Sequence, residues 1–492
     1  MKINKPGFAK KRNFKYGAAA TAITVGFVAL VVVVNIIATL LLEKYPLTID
    51  MTSSGKYEIS QESIDYVSKI NRDVNIYVLA DESYFSNPSN AYTYQVGEVL
   101  KKYSQYSDRV TLSYINLETN PGFAAKYPDE SFSTGDVLFE SDLRIQKFGY
   151  QDLFNISYNN TTGNVSSISS HAEETLTSAL LYVTDENPTK VVMTEGHGEN
   201  AVVGLNSLLQ KNGFELGAVK TLGAEIEDDT QIVVVAAPTV DFTDAEIKKL
   251  DAFLVNGGDY GKQMIYIANP NQPKLPKLEA FLAEWGIGFE DGVTVETNTN
   301  RIYYNQYFSI QDPDSIDLDF IGRTDALKAP IVMYNVRPIK ALFEAQNLRS
   351  TKVLCTTYDS SVLAPLDAPD DWDAASAQKQ VFNTIVAGQR ETDTTDVNKI
   401  KHSTILAFAS SDMFASGIGD SDTFGNSQFT VSVLNELTGK ENAITVASKD
   451  LTGVALEINA TTAIILGIVF VAVLPLTVLI IGLVVYLRRR NL

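Results

Sequence analysis

The chain is poor in the residues on which most active-site chemistry depends. It has one cysteine, Cys355, in 492 residues. No intrachain disulfide can form, so the fold must stand on its core. A strained Gly-rich elbow is absent around Cys355, so that thiol reads as a buried, inert one rather than a nucleophile. There are three histidines, His171, His197 and His402, too few for a histidine-rich metal centre, and H-E-x-x-H is missing. No G-x-x-x-x-G-K-[ST] loop exists to cradle a nucleotide, and no G-x-S-x-G elbow to present a serine. Basic residues are scarce as well. Nine of the 40 lysines and arginines sit in the two terminal tails, which leaves 31 against 59 acidic residues over the rest of the chain. A surface of that sign repels nucleic acid and anionic lipid.

Charge is absent altogether from two long apolar runs, 17–42 and 463–487. About 20 consecutive apolar residues suffice to cross a bilayer core, so both runs predict transmembrane helices. The tails 1–16 and 488–492 carry only basic charge, with Lys10, Lys11 and Arg12 before the first run and Arg488, Arg489 and Arg490 after the second. Basic flanks stay cytoplasmic. The expectation is a two-pass plasma-membrane protein embedded in the lipid bilayer. Both termini would be inside, and residues from about 45 to about 460 would be extracellular or periplasmic.

The intervening residues read as α/β. In 50–185, strand-like Asn75–Ala80 precedes a helical pattern over Ala91–Tyr106, a strand at Val110–Asn116, a short helix ending near Tyr127, and a hairpin at Gly135–Phe148. This β-α-β-α-β-β order is that of a thioredoxin-like module. A redox member needs C-x-x-C after the first strand, where this chain has Asp81-Glu82-Ser83-Tyr84. Asn155–Ser170 is read as a polar loop, and His171–Thr184 as a helix bridging to the next module. Over 186–450, strands near 191–194, 231–237 and 263–268 alternate with helices, and Thr243 and Glu246 form a capping box. Further strands are placed at Lys352–Thr357, Val381–Ala387 and Thr404–Ala409. The pattern predicts a doubly wound parallel sheet.

Glu195-Gly196-His197-Gly198-Glu199, following a strand, resembles the GHGE signature of the GldG-type auxiliary proteins of ABC transporters. Glu174-Thr175-Leu176-Thr177-Ser178-Ala179-Leu180-Leu181 is similar to that family's E-x-x-L-T-x-A-I helix. Asp241 to Glu246, Ser410-Ser411-Asp412-Met413-Phe414 and Leu474-Pro475-Leu476 resemble further segments in the same order. The resemblance implies a thioredoxin-like module followed by one like a class I glutamine amidotransferase. It also implies two partners on other chains, an ABC-2-type permease and a cytoplasmic ATPase.

Ligands of open α/β sheets bind beyond the carboxyl ends of the strands. The loops there are 195–199, 238–240, 269–271 and 410–412, which makes Glu195, His197, Glu199 and Asp412 the candidate ligand or partner residues. Two carboxylates favour a cation or polar ligand over an anion. The alternative role for His197 and Glu199 is to hold the turn by hydrogen bonds. The expected function is therefore a non-catalytic accessory subunit without cofactor or metal, with an envelope or cell-wall ligand possible. A membrane-anchored hydrolase or amidotransferase using the His197 loop, or a cell-surface receptor independent of a transporter, are the competing expectations.

Overall fold

A computed structural model describes residues 25–26, 29–30, 32–36, 55–158, 165–219, 222–369, 371–421, 423–440, 449–451, 476–477, 480, 482 and 484. The chain is mixed α/β.

In the first module, helix α1 (Gln61–Lys69) begins at Ser60, whose side chain accepts the Ser63 amide. Strand β1 (Val74–Val78), the short helix α2 (Glu82–Phe85), helix α3 (Ala91–Tyr106) and strand β2 (Val110–Tyr114) follow. Asn90 starts α3 by accepting the Tyr92 and Thr93 amides, the usual work of a helix-capping amide. Where a second helix is expected near 120–127, only the 3-10 turn Ala124–Lys126 forms. The hairpin of β3 (Val137–Glu140) and β4 (Ile145–Phe148) completes a four-stranded sheet of order β2-β1-β3-β4, with β1 parallel to β2 and antiparallel to β3. The stretch read as a polar loop instead contains a second hairpin, β5 (Phe154–Tyr158) and β6 (Val165–Ser170). Its serines and asparagines conceal a period of two that pairs Ile156 with Ile168.

Helix α4 (Ala172–Thr184) lies against α1, α3 and the sheet, and buries Leu176, Ala179, Leu180 and Val183 completely or nearly so. Its Glu173 is 3% exposed. One carboxylate oxygen accepts the Ser60 amide and the Ser63 hydroxyl, the latter at 2.8 Å. The other faces the Lys449 ammonium at 2.7 Å.

The second module runs through β7 (Lys190–Thr194), α5 (Val203–Lys211), β8 (Glu215–Val219), β9 (Thr230–Ala236), α6 (Asp244–Val255), β10 (Gln263–Ile267) and α7 (Pro276–Glu284). Short strands β11 (Ile287–Phe289), β12 (Val293–Glu296), β13 (Phe308–Ile310), β14 (Val332–Tyr334), β15 (Ile339–Ala341) and β16 (Ala345–Gln346) come next. Then follow β17 (Arg349–Thr356), β18 (Ser361–Ala364), β19 (Asn383–Glu391), β20 (His402–Phe408) and α8 (Asn426–Thr438). Val233, Val234 and Val235 of β9 are all buried, as a central strand covered on both faces requires. The capping box of Thr243 and Glu246 forms both its hydrogen bonds.

Two expectations are corrected. The sheet is not parallel throughout. Strands β8-β7-β9-β10-β20 are parallel, but β19 is antiparallel to β20, and β17 and β15 are antiparallel to β19. The reason is the short link 392–401, which cannot hold the crossover a parallel neighbour needs. The second correction concerns the membrane. Most of 17–42 and 463–487, and all of the tails 1–16 and 488–492, lie outside the described residues. Among the described residues no helix is long and apolar enough to cross a membrane. An apolar sequence is necessary for a span and does not suffice. The transmembrane helices, and the two-pass plasma-membrane placement built on them, are therefore not carried further.

The last described strand, β21 (Lys449–Asp450), returns to the first module, pairs antiparallel with β6, and places Leu451 in that module's core. Replacing Lys449 by Met would leave the Glu173 carboxylate buried without its cation. The Lys449→Met variant is expected to lose about 3–5 kcal/mol of unfolding free energy in urea titrations at pH 7, with Glu173→Gln restoring part of it in the double variant. A loss below about 1 kcal/mol, the level of an exposed pair, would show that the pair does not hold the strand.

Candidate functional site

The carboxyl ends of the parallel strands carry the loops singled out from the sequence. After β7 the chain turns at Gly196 and Gly198, with φ of 111° and 70°, a region closed to most side chains. A Cβ on Gly198 would lie 2.1 Å from Thr239 Oγ1, so glycine is required there by space as well as by φ. The turn is tied to the loop after β9, because the His197 carbonyl accepts the Thr239 and Val240 amides at 2.8 and 2.9 Å.

His197 is 6% exposed. Its ring lies flat on Phe242, with centroids 3.9 Å apart and planes 5° apart. Its Nε2 is 3.4 Å from Glu246 Oε2, and its Nδ1 is 3.6 Å from Glu199 Oε1. The Glu199 Oε2 atom accepts the His197 amide at 2.8 Å. Glu246 also accepts the Thr243 amide at 2.7 Å, closing the capping box of α6. Burial pushes the Glu246 carboxyl up, but the hydrogen bonds from Thr243 and the adjacent His197 ring outweigh it and hold the carboxyl below its ordinary range. His197 thus works as a wedge between two loops and the start of α6.

Asp412 lies in the turn after β20, where Asn335 Nδ2 donates to its Oδ2 at 2.7 Å. Its neighbour Ser411 accepts Asn269 Nδ2 at 2.9 Å and Asn200 Nδ2 at 3.3 Å. Three strand-end loops therefore meet at one hydroxyl. Asp412 itself makes no recorded hydrogen bond or ion pair with Glu195, His197 or Glu199 among the described residues. A cleft of about 610 Å³ opens between the 195–199 turn, the first turn of α5, and strands β7, β8 and β9, with Glu195, Glu199, Asn200 and Asn206 among its walls.

The residues that complete the wedge, Phe242 and Glu246, were not legible as partners of His197. The sequence shows Glu246 as the third residue of a capping box, and nothing local reveals that the same carboxylate reaches an imidazole 49 positions earlier. The Asn200–Ser411–Asn269 junction was equally hidden.

Chemistry elsewhere is sparse. Cys355 is fully buried in β17. Burial pushes its thiol up to about 11, against hydrogen bonds with Thr384 and Ser315 that lower it. His171 Nδ1 lies 3.6 Å from Glu174, and His402 Nδ1 lies 3.6 Å from Glu391. Among the described residues no group of three or more histidine, cysteine, aspartate or glutamate side chains could hold a metal ion.

Residues 53–152 match a family described as a domain of unknown function, DUF7088. That match covers the first module alone, too little of the chain to assign all of it to the family. No curated protein matches the sequence. Among solved structures, the mmIFT52 N-terminal domain is 14% identical and aligns over 52% of this chain and 100% of its own, with a TM-score of 0.37. A putative ThuA-like protein from Bacteroides uniformis is 13% identical over 51% of this chain and 93% of its own, at 0.30. The exo-β-1,4-mannosidase Op5Man5 from Opitutaceae bacterium strain TAV5 is 10% identical over 73% of this chain and 50% of its own, at 0.26. Likenesses of that size carry no argument about function.

Two measurements check this description. Cys355 is expected to resist iodoacetamide at pH 8 in the native protein and to react fully in guanidinium, since only the thiolate attacks. Rapid native labelling would contradict its burial. The lowered carboxyl of Glu246 contributes stability that is present above its ordinary value of 4.5 and is lost as pH falls through the lower folded value. Acid unfolding of Glu246→Gln should accordingly be shallower between that ordinary value and the lower folded value than that of the unmodified protein, and identical profiles would remove Glu246 from the linkage.

Proposed function

We propose that this chain is a non-catalytic accessory subunit of an ABC-2-type transporter, adding a binding or coupling domain to a permease and an ATPase carried on other chains. The observation that carries the reading is what occupies the signature turn. His197 is stacked on Phe242 and set between Glu199 and Glu246, so the residue best suited to act as a base is committed to holding loops together. The one thiol is buried away from the turn, in β17. A cleft with carboxylate and amide walls but no activated nucleophile suits recognition better than covalent catalysis. The motifs that resemble those of GldG-type auxiliary proteins, in the same order, supply the transporter context, and since these 492 residues carry no P-loop motif the proposal places the ATPase on another chain.

The test is affinity purification of the full chain from its native cells in mild detergent. Stoichiometric recovery of a multi-span permease and a P-loop ATPase is the expected result. Recovery of the chain without either, at a yield at which it remains folded, would contradict the proposal.

A further inference from the structure

We draw no further inference here: the strongest candidate, the exposed aromatic patch of Tyr303 and Tyr304 on the loop before β13, with Tyr303 packed on Phe308 and Phe424, carries nothing because nothing in the structure shows what covers it.

Discussion

The fold hangs on one buried carboxylate. Glu173 sits at the start of α4, and through Ser60, Ser63 and Lys449 it joins three segments far apart in sequence. Lys449 also donates to the Glu58 carbonyl, so the residues that lead into the first module and those that leave the second are fixed to one another. Tyr103 of α3 adds its hydroxyl to Thr177 at 2.6 Å, and Thr177 in turn faces Ser63. A buried charge with one cation and several donors is weak evidence for net stability, but removing a single partner is expensive. That asymmetry turns a short two-residue strand into a fixed part of the first module. Because α4 runs directly into β7, the same helix that anchors this network also sets where the second sheet begins.

The second module solves a different problem, that of holding four strand-end loops in register. His197 does this by stacking on Phe242 and meeting Glu246, and Ser411 does it by accepting from Asn200 and Asn269. These contacts leave the cleft beside β7 open while fixing its walls. A wall built this way is preorganised, which favours binding without requiring the protein to rearrange. It is also committed, because an imidazole used as a wedge is not free to shuttle protons.

Part of this was legible in the sequence. The capping box at Thr243 and Glu246, the unbroken apolar run of β9, and the glycines of the 195–199 turn each leave a local mark, because each is decided by neighbours within a few residues. What failed were features decided elsewhere in the chain. The antiparallel insertion of β19 depends on a ten-residue link between two strands that each look like buried parallel strands. The serine-rich hairpin β5–β6 looks like a loop until Ile156 is seen opposite Ile168. Glu173 carries no signal that distinguishes it from Glu174 beside it, and its cation lies 276 positions away. The reading of the apolar runs as bilayer spans rested on composition alone, and no described helix has the length that reading needs.

The central claim is that the chain modulates a partner's chemistry and performs none of its own. Its most direct test is ATP turnover by the purified permease–ATPase pair, measured with and without the full chain, beside the chain alone. The account predicts no turnover by the chain alone and a saturable change in the pair's rate when the chain is added. An unchanged rate at saturating chain, or hydrolysis of an ester or amide by the chain alone that is lost in His197→Ala with the fold intact, would contradict it.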